Sequence, residues 1–292
     1  MQLKTIWYFL CRHLFVFLSN KQFHLFTRWI HSKRLGFPYY KLSIDKPQTF
    51  NEHLFNIKLF ERPSIGQRVA DKISVRDYIE EKIGPDYLIP IIEVYDSVDH
   101  VSFDHLPSQF ALKTNHGSGW NLIVKDKNQI NWKKSKRKLK SWLKKNAYYL
   151  SREWQYKDIH PKLICEHLLA YEIKDYKIYC FKGEPKAIQV DTDRFSGHRR
   201  NIYDADWNLL DFQFIYKNTD KSIKKPSKLD EMLKIASKIA SELRFCRVDL
   251  YEHEGKIYFG EITLHPEGGN GFFKTYHQDL AFANFLGLND PR

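Results

Sequence analysis

The clearest pattern in the chain lies near its end. Cys246-Arg247-Val248-Asp249-Leu250-Tyr251 alternates apolar and polar side chains, as a strand with one buried face does. Glu254-Gly255 is a turn signal. Lys256 to Ile262 reads as a second strand, so the pair predicts a hairpin. Asp249 and Glu261 lie twelve residues apart, one on each arm. A short loop between the arms would let both carboxylates reach the same side, where they could hold Mg²⁺; the alternative is a surface hairpin with two solvated acids.

Further patterns run up to this hairpin. Residues 1–35 are helical by apolar content and end at Gly36-Phe37-Pro38. Thr49 and Glu52 form a capping box for a helix that follows Pro47. Val69 to Ile83 is amphipathic and is closed by Gly84-Pro85. Short strand-like runs occupy 88–95, 109–113, 121–124 and 162–166; 175–181 and 185–190 pair as a hairpin. Further strands are expected at 202–203 and 209–215, a basic helix at 132–150 and an amphipathic helix at 229–243. Strands dominate the middle and helices flank them, which predicts an α+β fold.

The composition, 42% hydrophobic and 28% charged, is globular, with neither disorder nor low complexity dominant, and the 292 residues suffice for one large or two modest domains. The formal net charge of +12 points to anionic partners: nucleotides, acidic glycans, nucleic acid or anionic lipid. No RNP, zinc-finger or helix-turn-helix signature supports specific nucleic-acid recognition. Cys11, Cys165, Cys180 and Cys246 are scattered without metal-ligand spacing, which suits a cytoplasmic protein. The apolar runs at Ile6–Leu10 and Leu14–Leu18 are split by Cys11-Arg12-His13 and fall short of the roughly 20 residues a membrane span needs. With their basic and aromatic neighbours they read as a packed or interfacial helix, with peripheral contact at the inner face of a membrane as the hypothesis.

Two more stretches carry candidate chemistry. Lys113 ends a strand and enters Thr114-Asn115-His116-Gly117-Ser118-Gly119-Trp120 before a strand resumes. Glycines around a serine let backbone N–H groups approach an anion, and the ammonium adds a point charge. The alternative is a glycine hairpin with a surface lysine. Asp71-Lys72, with Arg76 four residues later, stands at a helix start, where a solvated face is the alternative.

Taken in order, the DK pair, LK…HGSGW, ICEHLL, DYK and RVD…GEITLHP resemble the ATP-grasp superfamily, and in wording its TupA-like branch, associated with teichuronopeptide and other surface-polysaccharide biosynthesis. The resemblance covers about Pro47 to Phe273. It implies two α+β subdomains sandwiching ATP, behind an N-terminal extension. The corresponding divisions are 1–45, 46–110 and 111–292, the last split into a flap at about 111–166 and a C-terminal part. It assigns Lys72 and Lys113 to the phosphates, with Lys113 also catalytic. Gly117, Ser118 and Gly119 become the phosphate loop, flanked by His116 and Trp120. Glu166, His167 and Leu168 become the adenine hinge, and Asp175 the ribose acid. Mg²⁺ falls to Asp249, Glu261 and Thr263, the last standing where the family has Asn; His265 is the alternative third ligand. Arg247 would stabilise developing phosphate charge. Arg194, Arg199, Arg200 and Lys274 are candidates for holding an acidic substrate, and Glu267 to Gly271 for a flexible loop beside it. The implied chemistry is a carboxylate–amine ligase: a small-molecule amine attacks an acylphosphate made from a carboxylate or glycan substrate. A glycosyltransferase or sugar kinase, and a basic membrane- or nucleic-acid-binding module, are the competing readings.

Overall fold

The computed structural model describes residues 2–171, 173–193 and 196–290. Among them, ten strands form two antiparallel sheets. The smaller contains β1 (Ile91–Tyr95), β2 (Phe110–Thr114), β3 (Asn121–Val124) and β4 (Leu163–His167) in the order β1-β4-β2-β3. The larger contains β5 (Asp175–Phe181), β6 (Glu184–Thr192), β7 (Arg199–Asp204), β8 (Leu209–Leu210), β9 (Phe245–His253) and β10 (Lys256–Thr263) in the order β10-β9-β5-β6-β7-β8. The helices are α1 (Gln2–Phe9), α2 (Asn20–Leu35), α3 (Phe50–Phe60), α4 (Gly66–Ala70), α5 (Val75–Ile83), α6 (Trp132–Leu143), α7 (Tyr148–Ser151), α8 (Leu229–Ala240) and α9 (Tyr276–Phe285). The architecture is the expected α+β.

Strand alternation decides what each face of the larger sheet does. Tyr176, Ile178 and Cys180 of β5, with Cys246, Val248 and Leu250 of β9, meet Tyr78 and Ile79 of α5 and Met232, Ile235 and Ile239 of α8. Side chains on the opposite face, Tyr179, Phe181 and Phe245, meet Phe50 and Leu54 of α3 and Phe282 of α9. Phe50 stands at the centre, with five aromatic rings at centroid distances of 5.0–6.2 Å. Burying each such side chain contributes about 1.5–3 kcal/mol. The capping box at Thr49 and Glu52 forms as expected and starts α3. The smaller sheet packs Phe110, Leu112 and Leu163 against Leu139 and Trp142 of α6, which leaves the lysines of that helix outside.

Several expected elements are shorter than their patterns. The run 69–83 is two helices, because Asp71 is extended and its carboxylate accepts bonds from Ile73 N (2.9 Å) and Asn115 Nδ2 (3.0 Å). That competing local bond takes the backbone out of the helix and frees Lys72 to face the site. The basic helix stops at Leu143 and is followed by the separate α7. Of 209–215 only Leu209–Leu210 pairs as a strand; the rest is irregular, with Phe214 bridging to Phe273. The four cysteines are buried free thiols. No helix among the described residues is long and apolar enough to cross a membrane.

Candidate active site

The α3/α9 face of the larger sheet changes character along its strands. Beyond Tyr179 and Phe245 it turns polar, with Lys177 and Asp175 on β5, Arg247 and Asp249 on β9, and Glu261 and Thr263 on β10. A one-residue irregularity sets this row. β10 pairs β9 as Lys256↔His253 through Phe259↔Leu250, then resumes at Glu261↔Asp249. Gly260 is the extra residue. Were the first register to continue, Glu261 would oppose Val248 and point into the α5/α8 core. The short turn alone would therefore have separated the two carboxylates; the bulge brings them onto one face. Only a glycine fits there, since a Cβ on Gly260 would lie 2.9 Å from the carbonyl oxygen of Asp249.

The acids are held by cations. Arg247 Nε and Nη2 donate to the two oxygens of Asp249 at 2.6 and 2.7 Å, and Nη2 reaches Glu261 (3.4 Å) and Thr263 (3.2 Å). Lys177 donates to Asp175 and Asp249, both at 2.5 Å. Thr263 Oγ1 donates to Glu261 at 3.1 Å. Burial pushes the Asp249 carboxyl upward, and Arg247 and Lys177 oppose that push. Burial also acts to raise Glu261, but there Lys72, Arg247 and Lys177 outweigh it and hold the carboxyl below its ordinary value.

Glu261 opens onto a cavity of about 230 Å³ that also takes in Lys72, Lys113, Arg76, Gly119, Trp120, Tyr156 and the segment Glu166 to Leu169. The cavity lies between the two sheets: Lys113 and Glu166 come from β2 and β4, Glu261 from β10. Lys113 pairs with Glu166 at 2.6 Å, and Arg76 stands 3.5 Å from the other oxygen of the same carboxylate. Lys72 donates to the carbonyl of Gly117 at 2.5 Å, tying the α4–α5 break to the glycine loop. Burial lowers the Lys72 ammonium, Glu261 opposing. An ammonium stripped of water gains most from an arriving anion.

The structure thus brings together Lys72, Lys113, Gly119, Glu166, His167, Leu168 and Glu261 around one cavity, with Arg247, Asp249 and Thr263 directly behind Glu261. Trp120 also lines the cavity, while other candidates sit elsewhere. His116 is buried, with Nε2 2.9 Å from the carbonyl of Lys145 and its ring 5.1 Å from that of Trp120. Trp120 packs over Gly117, where a Cβ would come within 2.7 Å of its ring. Ser118 is exposed. Asp175 is buried in the pair with Lys177 and is not among the residues lining the cavity. His265 faces away from the acids, 3.2 Å from Gln155 and 3.5 Å from Glu153. Arg200 is buried against Asp191 (2.6 Å) and reaches Glu267 at 3.4 Å. Lys274 is exposed, and Arg194 lies outside the described residues.

As a hard-cation site, the hairpin offers two carboxylates and a hydroxyl, the oxygen donors Mg²⁺ prefers. Among the described residues no third His, Cys, Asp or Glu joins them in a metal-holding group. Both oxygens of Asp249 are engaged by Arg247 and Lys177, so Glu261 is the carboxylate facing the cavity and Asp249 the charge behind it. The donor chemistry fits Mg²⁺.

Sequence reasoning missed three cations. Lys177 was legible, since strand alternation puts it on the face of Asp175. Arg28 and Lys58 were not. Arg28, fully buried in α2, donates to the carbonyls of Gly269 (3.3 Å) and Gly271 (3.2 Å), and Lys58 of α3 to that of Gly268 (2.5 Å). Together they clamp the loop that follows β10, where Glu267, Gly268 and Gly269 all have positive φ. Their partners are backbone atoms more than 200 residues away, which leave no pattern in the sequence.

The model of the TupA-like ATPgrasp family matches residues 52–286. Solved structures similar to this chain include D-alanine–D-alanine ligase from Bacillus anthracis (18% identity, TM-score 0.43, covering 76% of this chain and 66% of that one). D-alanyl-alanine synthetase A from Vibrio cholerae (14%, 0.44, 75% and 63%) and N5-carboxyaminoimidazole synthetase from Staphylococcus aureus (13%, 0.42, 70% and 46%) are others. The chain thus spans about two thirds or less of the length of these proteins. No curated protein matches it.

Proposed function

We propose, from the premise that this chain belongs to the TupA-like ATP-grasp family, that it is an ATP- and Mg²⁺-dependent carboxylate–amine ligase acting in surface-polysaccharide biosynthesis. The observation that carries the reading is the single cavity shared by Lys72, Lys113 and Glu261, contributed by three separated segments and two sheets. Lys72 and Lys113 would bind the triphosphate, and Glu166 to Leu168 would line the adenine end. Lys113 and Arg76 already converge on Glu166, so an arriving phosphate competes for cations held in place rather than recruited from solvent. Trp120 packs over Gly117, and closure of the exposed Ser118-Gly119 part of the loop over bound ATP would exclude water, which an acylphosphate must be spared.

Bound Mg²⁺ would neutralise charge on the phosphates as the phosphoryl group moves to the substrate carboxylate. Glu261 and the Thr263 hydroxyl would hold it, with Asp249, both of whose oxygens are engaged by Arg247 and Lys177, adding negative charge behind them. Arg247 lies on both acids and Thr263, where it fixes their orientation and adds positive charge beside the transferring group. An amine then attacks the acylphosphate carbon and phosphate leaves, forming the amide. The acceptor class is a sugar acid, an amino sugar or a growing glycan on a lipid carrier, of capsule, O-antigen or teichuronic type. An acceptor on a lipid carrier would call for an enzyme in the cytoplasm near the inner face of the membrane.

The test is ADP release from ATP and Mg²⁺ with candidate carboxylate and amine pairs, in wild type and Glu261→Gln. The variant should lose at least a hundredfold; equal turnover in both would remove Glu261 from the site and the reading with it.

A further inference from the structure

The positive charge of this protein is concentrated in two stretches. The first 44 residues hold seven Lys and Arg and no Asp or Glu; residues 127–152 hold ten and none. Removing these seventeen cations leaves 30 Lys and Arg against 35 Asp and Glu, so the remainder of the chain is net acidic. The fold brings the two stretches together. The amide of Asn146 donates to the Tyr8 hydroxyl at 2.9 Å, the Lys145 ammonium lies 5.6 Å from the Tyr8 ring centroid, and Arg12 lies 5.5 Å from that of Tyr149. Arg152 Nη2 donates to the carbonyl of Phe15 at 2.9 Å.

The same region displays uncovered apolar side chains. Of the fifteen exposed large hydrophobic residues among those described, eight lie between positions 6 and 39. Phe17, at the turn between α1 and α2, is 85% exposed; Phe9 is 61%, Leu14 57% and Trp29 47%. Trp29 belongs to a continuous ladder of ring contacts, Trp7–Phe15, Phe15–Phe26 and Phe26–Trp29, at 5.1–6.4 Å, which ties α1 to α2, and Phe9 packs on His13 at 4.7 Å. Arg12, Lys21, Lys33 and Arg34 are exposed around it, and Lys133, Lys134, Arg137, Lys138 and Lys140 along the outer side of α6.

We infer that this joint surface docks on an anionic lipid bilayer, with the α1–α2 tip inserting Phe17, Phe9 and Leu14 among the acyl chains while α6 and the flanking cations meet the headgroups. Aromatic and aliphatic insertion beside basic residues is the chemistry of an interfacial helix, and each cation near an anionic surface adds to binding. A polyanion such as nucleic acid would use the cations and leave the apolar tip without a partner. The inference stands on exposure and charge and does not depend on the ligase reading.

The test is flotation of the full chain with phosphatidylcholine vesicles and with vesicles containing about one third phosphatidylglycerol, at low and high salt. The protein should float with anionic vesicles only, and salt should weaken this. Phe17→Glu and a Lys134→Glu/Arg137→Glu/Lys138→Glu variant should each lower the partition coefficient at least tenfold, with melting temperatures unchanged because these side chains are exposed. Absence of flotation, or Phe17→Glu floating as wild type does, would overturn the inference. Binding to random double-stranded DNA as tight as to anionic vesicles and indifferent to Phe17→Glu would do so too.

Discussion

The bulge at Gly260 gives the most direct test of how the site is built. A methyl at that position, in Gly260→Ala, would lie 2.9 Å from the carbonyl oxygen of Asp249 and 3.1 Å from two atoms of the Tyr251 ring. The ring can shift. The carbonyl belongs to the partner strand and is held by the ladder, so the strands must part. Overpacking of this kind costs about 1–3 kcal/mol. Straightening the bulge instead would restore the register in which Glu261 faces Val248, burying a carboxylate in the apolar cluster below α5 and α8. An unpaired buried charge costs more than the clash, so parting is the expected response, with Asp249 and Glu261 displaced relative to Lys72. Urea unfolding should show a loss of about 2 kcal/mol, and ADP release should fall at least tenfold, the equivalent of about 1.4 kcal/mol in the barrier. Gly255→Ala is the control. It sits in the hairpin turn at φ +71° with open space around it, so it should cost about 1 kcal/mol in backbone strain and leave turnover untouched. Wild-type stability and turnover in Gly260→Ala would refute the claim that the bulge sets the site.

Other perturbations reach different parts of the molecule. Lys72→Ala and Lys113→Ala should each weaken ATP binding by about tenfold or more, about 1.4 kcal/mol, measured by calorimetry with a non-hydrolysable analogue; only Lys113→Ala leaves Glu166 with Arg76 as its sole close cation among the described residues. Burial pushes the Lys58 ammonium down to about 7, Glu153 opposing. The unfolded chain keeps its proton to about pH 10.5, so between pH 7 and that value it binds more protons than the folded state, and stability rises with pH. Wild type should therefore gain up to about 2–3 kcal/mol between pH 6 and 9 from this group, and Lys58→Met should lack that gain in parallel urea titrations. Arg28→Ala leaves the carbonyls of Gly269 and Gly271 without their buried donor and should cost about 3 kcal/mol. Protease cleavage within 267–271 should accelerate; unchanged protection would show that the clamp does not order the loop.

Much of the architecture was written locally. The capping box at Thr49 and Glu52, the Glu254-Gly255 turn and the alternation in 246–251 each depend on near neighbours in the chain. Short-range sterics and a two-residue period suffice to specify them, so the hairpin and the α+β class could be read without coordinates. The ordered motifs were legible for the same reason, and they led to the family. Tertiary structure decided what these pieces mean. A bulge too small to see in the pattern chose the face of Glu261. A competing bond from Asp71 split one amphipathic run and turned Lys72 into the cavity. Asp175 paired with Lys177 beside Asp249, His265 turned toward Glu153, and Arg28 found carbonyls 241 and 243 residues away. Two acid-free stretches more than 80 residues apart became one surface. Chain neighbours fix period and turn, whereas a register, a buried ion pair or a joined surface exists only once distant segments have closed on one another.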